Sequence, residues 1–138
     1  MKRINKLSLG TAQFGMKYGI ANKLDQISFA EVKKIFSRIK SEGIYSVDTA
    51  SSYGKSEEIL GKIDLSELEV TSKIYFPPEK LSDVNDFINH KIHLSLNLLG
   101  QKKIHGLLIH NPDVLLGKSG NEIYDHLLFL KKQGKVSK

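Results

Sequence analysis

VDTASSYGKSEEILG, residues 47–61, is the stretch that decides the fold. A hydrophobic approach ends in Asp48. A polar, serine-rich turn follows and carries Tyr53 and Gly54, and a helix begins over Lys55 to Glu58. A carboxylate and a phenol therefore flank a turn where a strand should end and a helix should start. In parallel α/β barrels, functional side chains gather at that rim of the strands and on the loops after it.

Outward from this stretch the chain alternates. Towards the N-terminus, KLSLGTAQFG (6–15) reads as a strand opening into a glycine-containing loop, and SFAEVKKIFSRIKSEG (28–43) as a helix. Ser28 with Glu31 forms a capping box. Phe29, Val32, Ile35, Phe36 and Ile39 make an apolar stripe at helical spacing, and Gly43 is the stop. IYSVDT (44–49) is the strand leading into Asp48, and KSEEILGKI (55–63) is a short helix. Further on, LEVTSKIY (68–75) is a strand broken by Pro77-Pro78. LSDVNDFINHKIHLSLNLLG (81–100) is a longer helix with Val84, Phe87 and Ile88 on one side. KIHGLLIHNP (103–112) is a fourth strand, and NEIYDHLLFLKKQG (121–134) a fourth helix ending near Gly134. Val136 then looks like the start of a further strand that does not follow. Four strand–helix units in succession predict an α/β fold with a parallel sheet and crossover helices. The nearly continuous apolar character of SVD and LLIH predicts strands covered on both faces.

Composition bounds the function classes. The 138 residues suffice for one domain with a core, 40% of them are hydrophobic, and none is cysteine, which excludes disulfides and thiolate metal sites. No apolar run is long enough to span a membrane. The N-terminal MKRINKLSLG lacks the apolar stretch of a signal peptide, so a cytoplasmic location is expected. The net charge of +6 comes from scattered lysine pairs such as Lys33-Lys34, Lys102-Lys103 and Lys131-Lys132. Without an arginine-rich tract or interleaved aromatics, this speaks against a nucleic-acid surface.

The polar residues that end the strands have a joint chemical logic. Gly10-Thr11, Asp48, Lys73 and His110 close strands one to four, so they share one rim, and Tyr53 can fold back over it. A free tyrosine titrates near ~10, and a nearby ammonium favours its phenolate. A carboxylate anchors that ammonium, and a histidine can donate to a substrate oxygen. Proton donor, tuner, anchor and polariser together suit a carbonyl oxygen, and reduction additionally needs a nicotinamide hydride source. Each residue alone has a plainer reading as a cap, a packing group or a solvated charge. What sets the four apart is their order on successive rims. His90 and His93 stand at a spacing that metal ligands use, but no third ligand accompanies them, so no metal site is expected.

LGTAQFG, VDTASSYGKSEEILG, VTSKI and LLIHNPD, in this order and at these separations, resemble the aldo-keto reductases, and SLNLLG and LKKQGKV have counterparts in that family too. The resemblance covers essentially the whole chain. It implies a (β/α)8 TIM-type barrel and NAD(P)H-dependent reduction of aldehydes or ketones. It implies Tyr53 as general acid, Lys73 and Asp48 as its tuning pair, and His110 as the orienting group. Gly10, Thr11 and Asp48 match positions near the nicotinamide end of the cofactor, with NADP(H) expected ahead of NAD(H).

Such a barrel needs roughly 250 residues. Residues 1–138 are therefore expected to be its N-terminal half, about the first four units of eight, truncated after the fourth helix. The second half would supply most contacts to the cofactor's pyrophosphate, ribose and adenine. An open half-barrel is expected to leave the fourth strand and the first unpaired at their outer edges and the inward apolar side chains half uncovered. Self-association through these edges is one resolution, and activity impaired in this chain is another expectation. Two other classes stand beside the reductase. One is a non-catalytic, reductase-like cofactor-binding or regulatory protein. The other is a Schiff-base aldolase using Lys73, which a neighbouring Asp48 disfavours by keeping the amine charged.

Overall fold

The computed structural model describes residues 6–19, 26–77 and 81–138. Its strands are β1 (Ser8–Gly10), β2 (Ser46–Asp48), β3 (Glu69–Ile74) and β4 (Gly106–Ile109). They form one sheet in the order β1-β2-β3-β4, with every pairing parallel. The helices are α1 (Ala12–Gly15), α2 (Phe29–Ser41), α3 (Ser56–Leu60), α4 (Val84–Leu99) and α5 (Gly120–Lys132), and a 3-10 turn spans Pro112–Leu116. This is the expected α/β architecture of the first β/α units of a barrel. The loop expected after β1 contains the one-turn helix α1, and the 3-10 turn was not anticipated. Pro78 lies outside the described residues.

Local chemistry sets the helix limits. Ser28 accepts a hydrogen bond from the Glu31 amide at 3.3 Å, and Asp83 accepts from Asp86 at 2.8 Å, so each caps orphan donors of its first turn. Gly100, at φ 62°, ends α4 in a left-handed conformation that L side chains avoid. One face of the sheet carries Val47, Val70 and Ile74, buried beneath α2 (Val32, Phe36, Ile39) and α4 (Ile88, Ile92, Leu96) in a single apolar cluster. Phe29 departs from the expected stripe. It opens the first turn of α2, is 38% exposed, and lies under the Lys33 ammonium at 5.4 Å from its ring centre.

The expectation of strands covered on both faces fails for the inner face. Strand alternation puts Ser8, Gly10, Ser46, Asp48, Glu69, Thr71, Lys73, Gly106 and Leu108 there. Leu108 is 49% exposed, and it is the one large apolar side chain in that row. Apart from Leu108, the side chains on this face are therefore polar or glycine. The fourth strand's edge also differs from expectation. Val136 pairs in parallel with Ile104. Ser137 and Lys138 donate to Ile104 and His105 at 3.0 Å each, and Leu107 donates to Lys138 at 2.9 Å. The segment 136–138 thus lies beside the start of β4 through a single parallel bridge and satisfies part of the border that was expected to be bare. Among the described residues no helix is long and apolar enough to cross a membrane.

Candidate active site

The parallel register brings the ends of β1 to β4 to one rim. Asp48 is the last residue of β2, Lys73 stands one before the end of β3, and His110 directly follows β4. The His110 amide donates to the Ile74 carbonyl at 2.8 Å and so continues the ladder past β4.

Lys73 is the hub. Its Nζ donates to Asp48 Oδ2 at 2.5 Å, to the Thr49 carbonyl at 3.1 Å and to Tyr53 Oη at 3.4 Å. The lysine side chain is 15% exposed and the aspartate 34%, so the pair is shielded yet open to a ligand. The Tyr53 and His110 rings meet edge to face at 5.9 Å, 90° apart. All four expected catalytic residues therefore converge, and they come from three strand ends and one turn.

The turn that carries Tyr53 is held at every corner. Ser51 Oγ donates to the Lys73 carbonyl at 3.0 Å, tying the turn to β3. Ser52 Oγ lies 3.1 Å from His110 Nδ1, tying it to the end of β4. Ser56 donates to Thr11 Oγ1 at 2.8 Å and contacts Thr49 Oγ1 at 3.1 Å, tying it to β1 and β2. Gly54, at φ 55°, lets the chain pass Gly15. A Cβ at Gly15 would lie 1.8 Å from the Tyr53 carbonyl oxygen, so both glycines are needed to seat the tyrosine. Glu57 anchors the helix behind the turn. It is 3% exposed and accepts from Ser72 at 2.6 Å and Ser95 at 3.0 Å. Burial pushes its carboxyl above the ordinary 4.5, against the opposing pull of those two hydroxyls and of the Lys91 ammonium.

Beside this constellation an open cleft of about 300 Å³ is lined by Gly10, Thr11, Ala12, Gln13, Tyr18, Asp48 and Tyr53. It unites the three residues expected near a nicotinamide. Gly10 fits that purpose, since a Cβ there would meet nothing within 4 Å and would project into open space. The Thr11 side chain is placed differently from a ligand contact. It is fully buried, and its hydroxyl donates to the Asp48 carbonyl at 3.0 Å, so it braces Asp48 from below. Among the described residues no group of three or more His, Asp or Glu side chains could hold a metal ion.

Sequence reasoning missed the aromatic walls and the serine ties. Tyr18 stands 6.4 Å from the Tyr53 ring and Tyr75 stands 6.1 Å from that of His110. Tyr75 had a signal, being two residues after Lys73 and so on the same side of the chain. Tyr18 had none.

A model of the Aldo/keto reductase family matches residues 6–138. A Pseudomonas aeruginosa protein described as an aldo-keto reductase is 25% identical, with a TM-score of 0.75 over 94% of this chain and 52% of its own. An aldo-keto reductase from Bacillus halodurans in its holo form is 19% identical, with a TM-score of 0.70 over 96% of this chain and 44% of its own. The Bombyx mori aldo-keto reductase in complex with NADP is 23% identical, with a TM-score of 0.68 over 97% and 45%. The chain spans about half the length of these structures. No curated protein matches it.

Proposed function

The chain belongs to the aldo/keto reductase family, and from that premise we propose that it carries the catalytic half of a barrel that reduces an aldehyde or ketone to an alcohol. The observation that supports this most is the Asp48–Lys73–Tyr53 chain of contacts at 2.5 and 3.4 Å beside a cleft with room at Gly10. Bound in that cleft, a reduced nicotinamide, NADP(H) ahead of NAD(H), supplies the hydride that the carbonyl carbon receives. Gly10 would leave space for the ring in the cleft that Asp48 and Tyr53 also line.

Tyr53 Oη donates its proton to the substrate oxygen as negative charge develops there. The Lys73 ammonium, already directed at Oη, stabilises the phenolate that remains. Asp48 holds that ammonium in place, and the Thr49 carbonyl accepts a hydrogen bond from a second of its N–H groups. His110, edge-on to Tyr53, donates to the same substrate oxygen and sets its direction. Tyr18 and Tyr75 extend the aromatic wall beside Tyr53 and His110. Groups for the pyrophosphate and adenine belong to the other half of the barrel, so turnover by this chain alone is low. Its location in the cytoplasm is part of the same proposal.

Titration calorimetry with NADPH and NADH on the 138-residue chain, together with light scattering for its association state, tests this reading. Saturable NADPH binding that Gly10→Leu weakens supports the cleft as the cofactor's berth. Absence of binding to a folded chain removes the cofactor from this half. Reduction of an aromatic aldehyde should be lost in Tyr53→Phe, and turnover that survives this change would take the proton-donor role from Tyr53.

A further inference from the structure

The two serines before Tyr53 do different things. Ser51 reaches a backbone carbonyl of β3, whereas Ser52 reaches a side-chain nitrogen, His110 Nδ1, 58 positions along the chain at 3.1 Å. A neutral imidazole has one nitrogen that donates and one that accepts, and the partner of the first nitrogen decides what the second can do. A serine hydroxyl can take either part. The ring itself is exposed, and its described neighbours are Tyr53, edge-on at 90°, and Tyr75 at 83°, so the serine is the polar group that can bias its tautomer. No other described hydrogen bond reaches the His110 side chain.

On the basis of the reductase reading above, we propose that Ser52 is a positioning residue that donates its hydroxyl proton to His110 Nδ1 and so holds the ring in the Nε2–H form. Of the two neutral forms, only that one presents a donor at Nε2 to a substrate oxygen. With the hydrogen bond reversed, Nε2 would carry a lone pair and repel the carbonyl it is meant to orient. The serine-rich turn thereby couples two parts of the site: the backbone that carries the proton donor also sets the proton on the neighbouring polariser. Ser52 touches neither substrate nor cofactor in this scheme and acts through His110.

Two-bond ¹⁵N–¹H spectra of the ¹⁵N-labelled 138-residue chain test this at about pH 8.5, well above the ~6.5 of an unperturbed imidazole. His110→Gln identifies the His110 signals among those of five histidines. In the unsubstituted chain, Nε2 should carry the proton and Nδ1 should show a hydrogen-bonded lone pair. Ser52→Ala should let the Nδ1–H form appear, which draws the averaged Nδ1 and Nε2 resonances towards each other. Ser52→Thr, which keeps a hydroxyl, should restore the original signals, and Ser52→Asp, an acceptor only, should invert the tautomer. An Nδ1–H form in the unsubstituted chain overturns the proposal, and so does an Nδ1 signal that Ser52→Ala leaves in place. Ser52 is exposed, and an unchanged unfolding midpoint for Ser52→Ala separates a local effect from loss of fold. Failure of the reductase reading would show in cofactor binding and in the Tyr53→Phe comparison, neither of which reports on these nitrogens.

Discussion

Replacing Glu57 by glutamine and by alanine separates two effects of one buried carboxyl. In Glu57→Ala the hydroxyls of Ser72 and Ser95, 1% and 2% exposed, lose their acceptor. Each orphaned buried hydroxyl costs about 1–3 kcal/mol, so the variant should lose about 2–6 kcal/mol. That is a large share of the roughly 5–15 kcal/mol that holds a domain together. Glu57→Gln keeps the volume and one acceptor, and the second hydroxyl can turn to accept from the new amide, so its loss should be much smaller. The glutamine also cannot titrate. The wild-type carboxyl titrates near 4.5 when unfolded and higher when folded, because burial disfavours its charge. Between those two values the folded chain binds more protons than the unfolded one, so stability falls as pH rises. The contribution is complete below 4.5, is lost as pH climbs through the folded value, and is constant above it. A displacement of one pH unit corresponds to about 1.4 kcal/mol. Urea unfolding followed by circular dichroism, at steps from about pH 4 to 8, gives the stability of each variant by linear extrapolation. The stability of Glu57→Gln minus that of wild type should climb from about pH 4.5 and then level off. A difference that is flat across the range, or one that falls, would refute the assignment of a desolvated carboxyl at this position.

The other predictions concern the seat of the tyrosine, the ion pair and the rim. Gly15→Ala would place a Cβ 1.8 Å from the Tyr53 carbonyl oxygen and 2.3 Å from the Ser56 nitrogen. Both are backbone atoms that cannot swing aside, so a loss of about 3 kcal/mol or more is expected in urea unfolding, along with a changed Tyr53 ring environment by NMR. Lys73→Met leaves the partly exposed Asp48 unpaired and should cost about 1–2 kcal/mol, between the values for exposed and buried pairs. A double-mutant cycle with Asp48→Asn should return a coupling of that size, and additive effects would show that the pair is not coupled. Asn111 spans the gap between the β3 and β4 loops, accepting from the Phe76 amide at 3.0 Å and donating to its carbonyl at 2.9 Å. Asn111→Ala should lose about 1–3 kcal/mol, with Asn111→Asp, which keeps only the acceptor, between it and wild type.

Much of this architecture was legible in the sequence because it rests on short-range physics. The helical stripe and capping box of residues 28–43 and the proline and glycine stops between strands specify where elements begin and end without reference to partners. Given a parallel sheet, strand ends must share a rim, so Asp48, Lys73 and His110 could be placed together, with Tyr53 above them, before any contact was known. What was misjudged depended on what lies opposite. Phe29 has the right spacing for the core but sits on the first turn, beyond the sheet's reach. Leu108 looks like a core residue, yet its side of the sheet faces a row of polar side chains.

Adjacent residues of one motif mark the boundary most sharply. Glu57 and Glu58 are the same residue type side by side. Only the first is enclosed, because helical rotation turns it towards Ser72 and Ser95, 15 and 38 positions away, while the second faces solvent and Lys62. Ser51 and Ser52 are likewise indistinguishable in the string, and they serve different strands. The sequence by itself determined the order of elements and the kind of chemistry at each strand end, since propensity, period and turn signals act within a few residues. The tertiary structure alone decided which of two like neighbours is buried, which hydroxyl meets His110, and how far Lys73 stands from Tyr53. Those are distances between segments remote in the chain, and they are set by packing that no local pattern encodes.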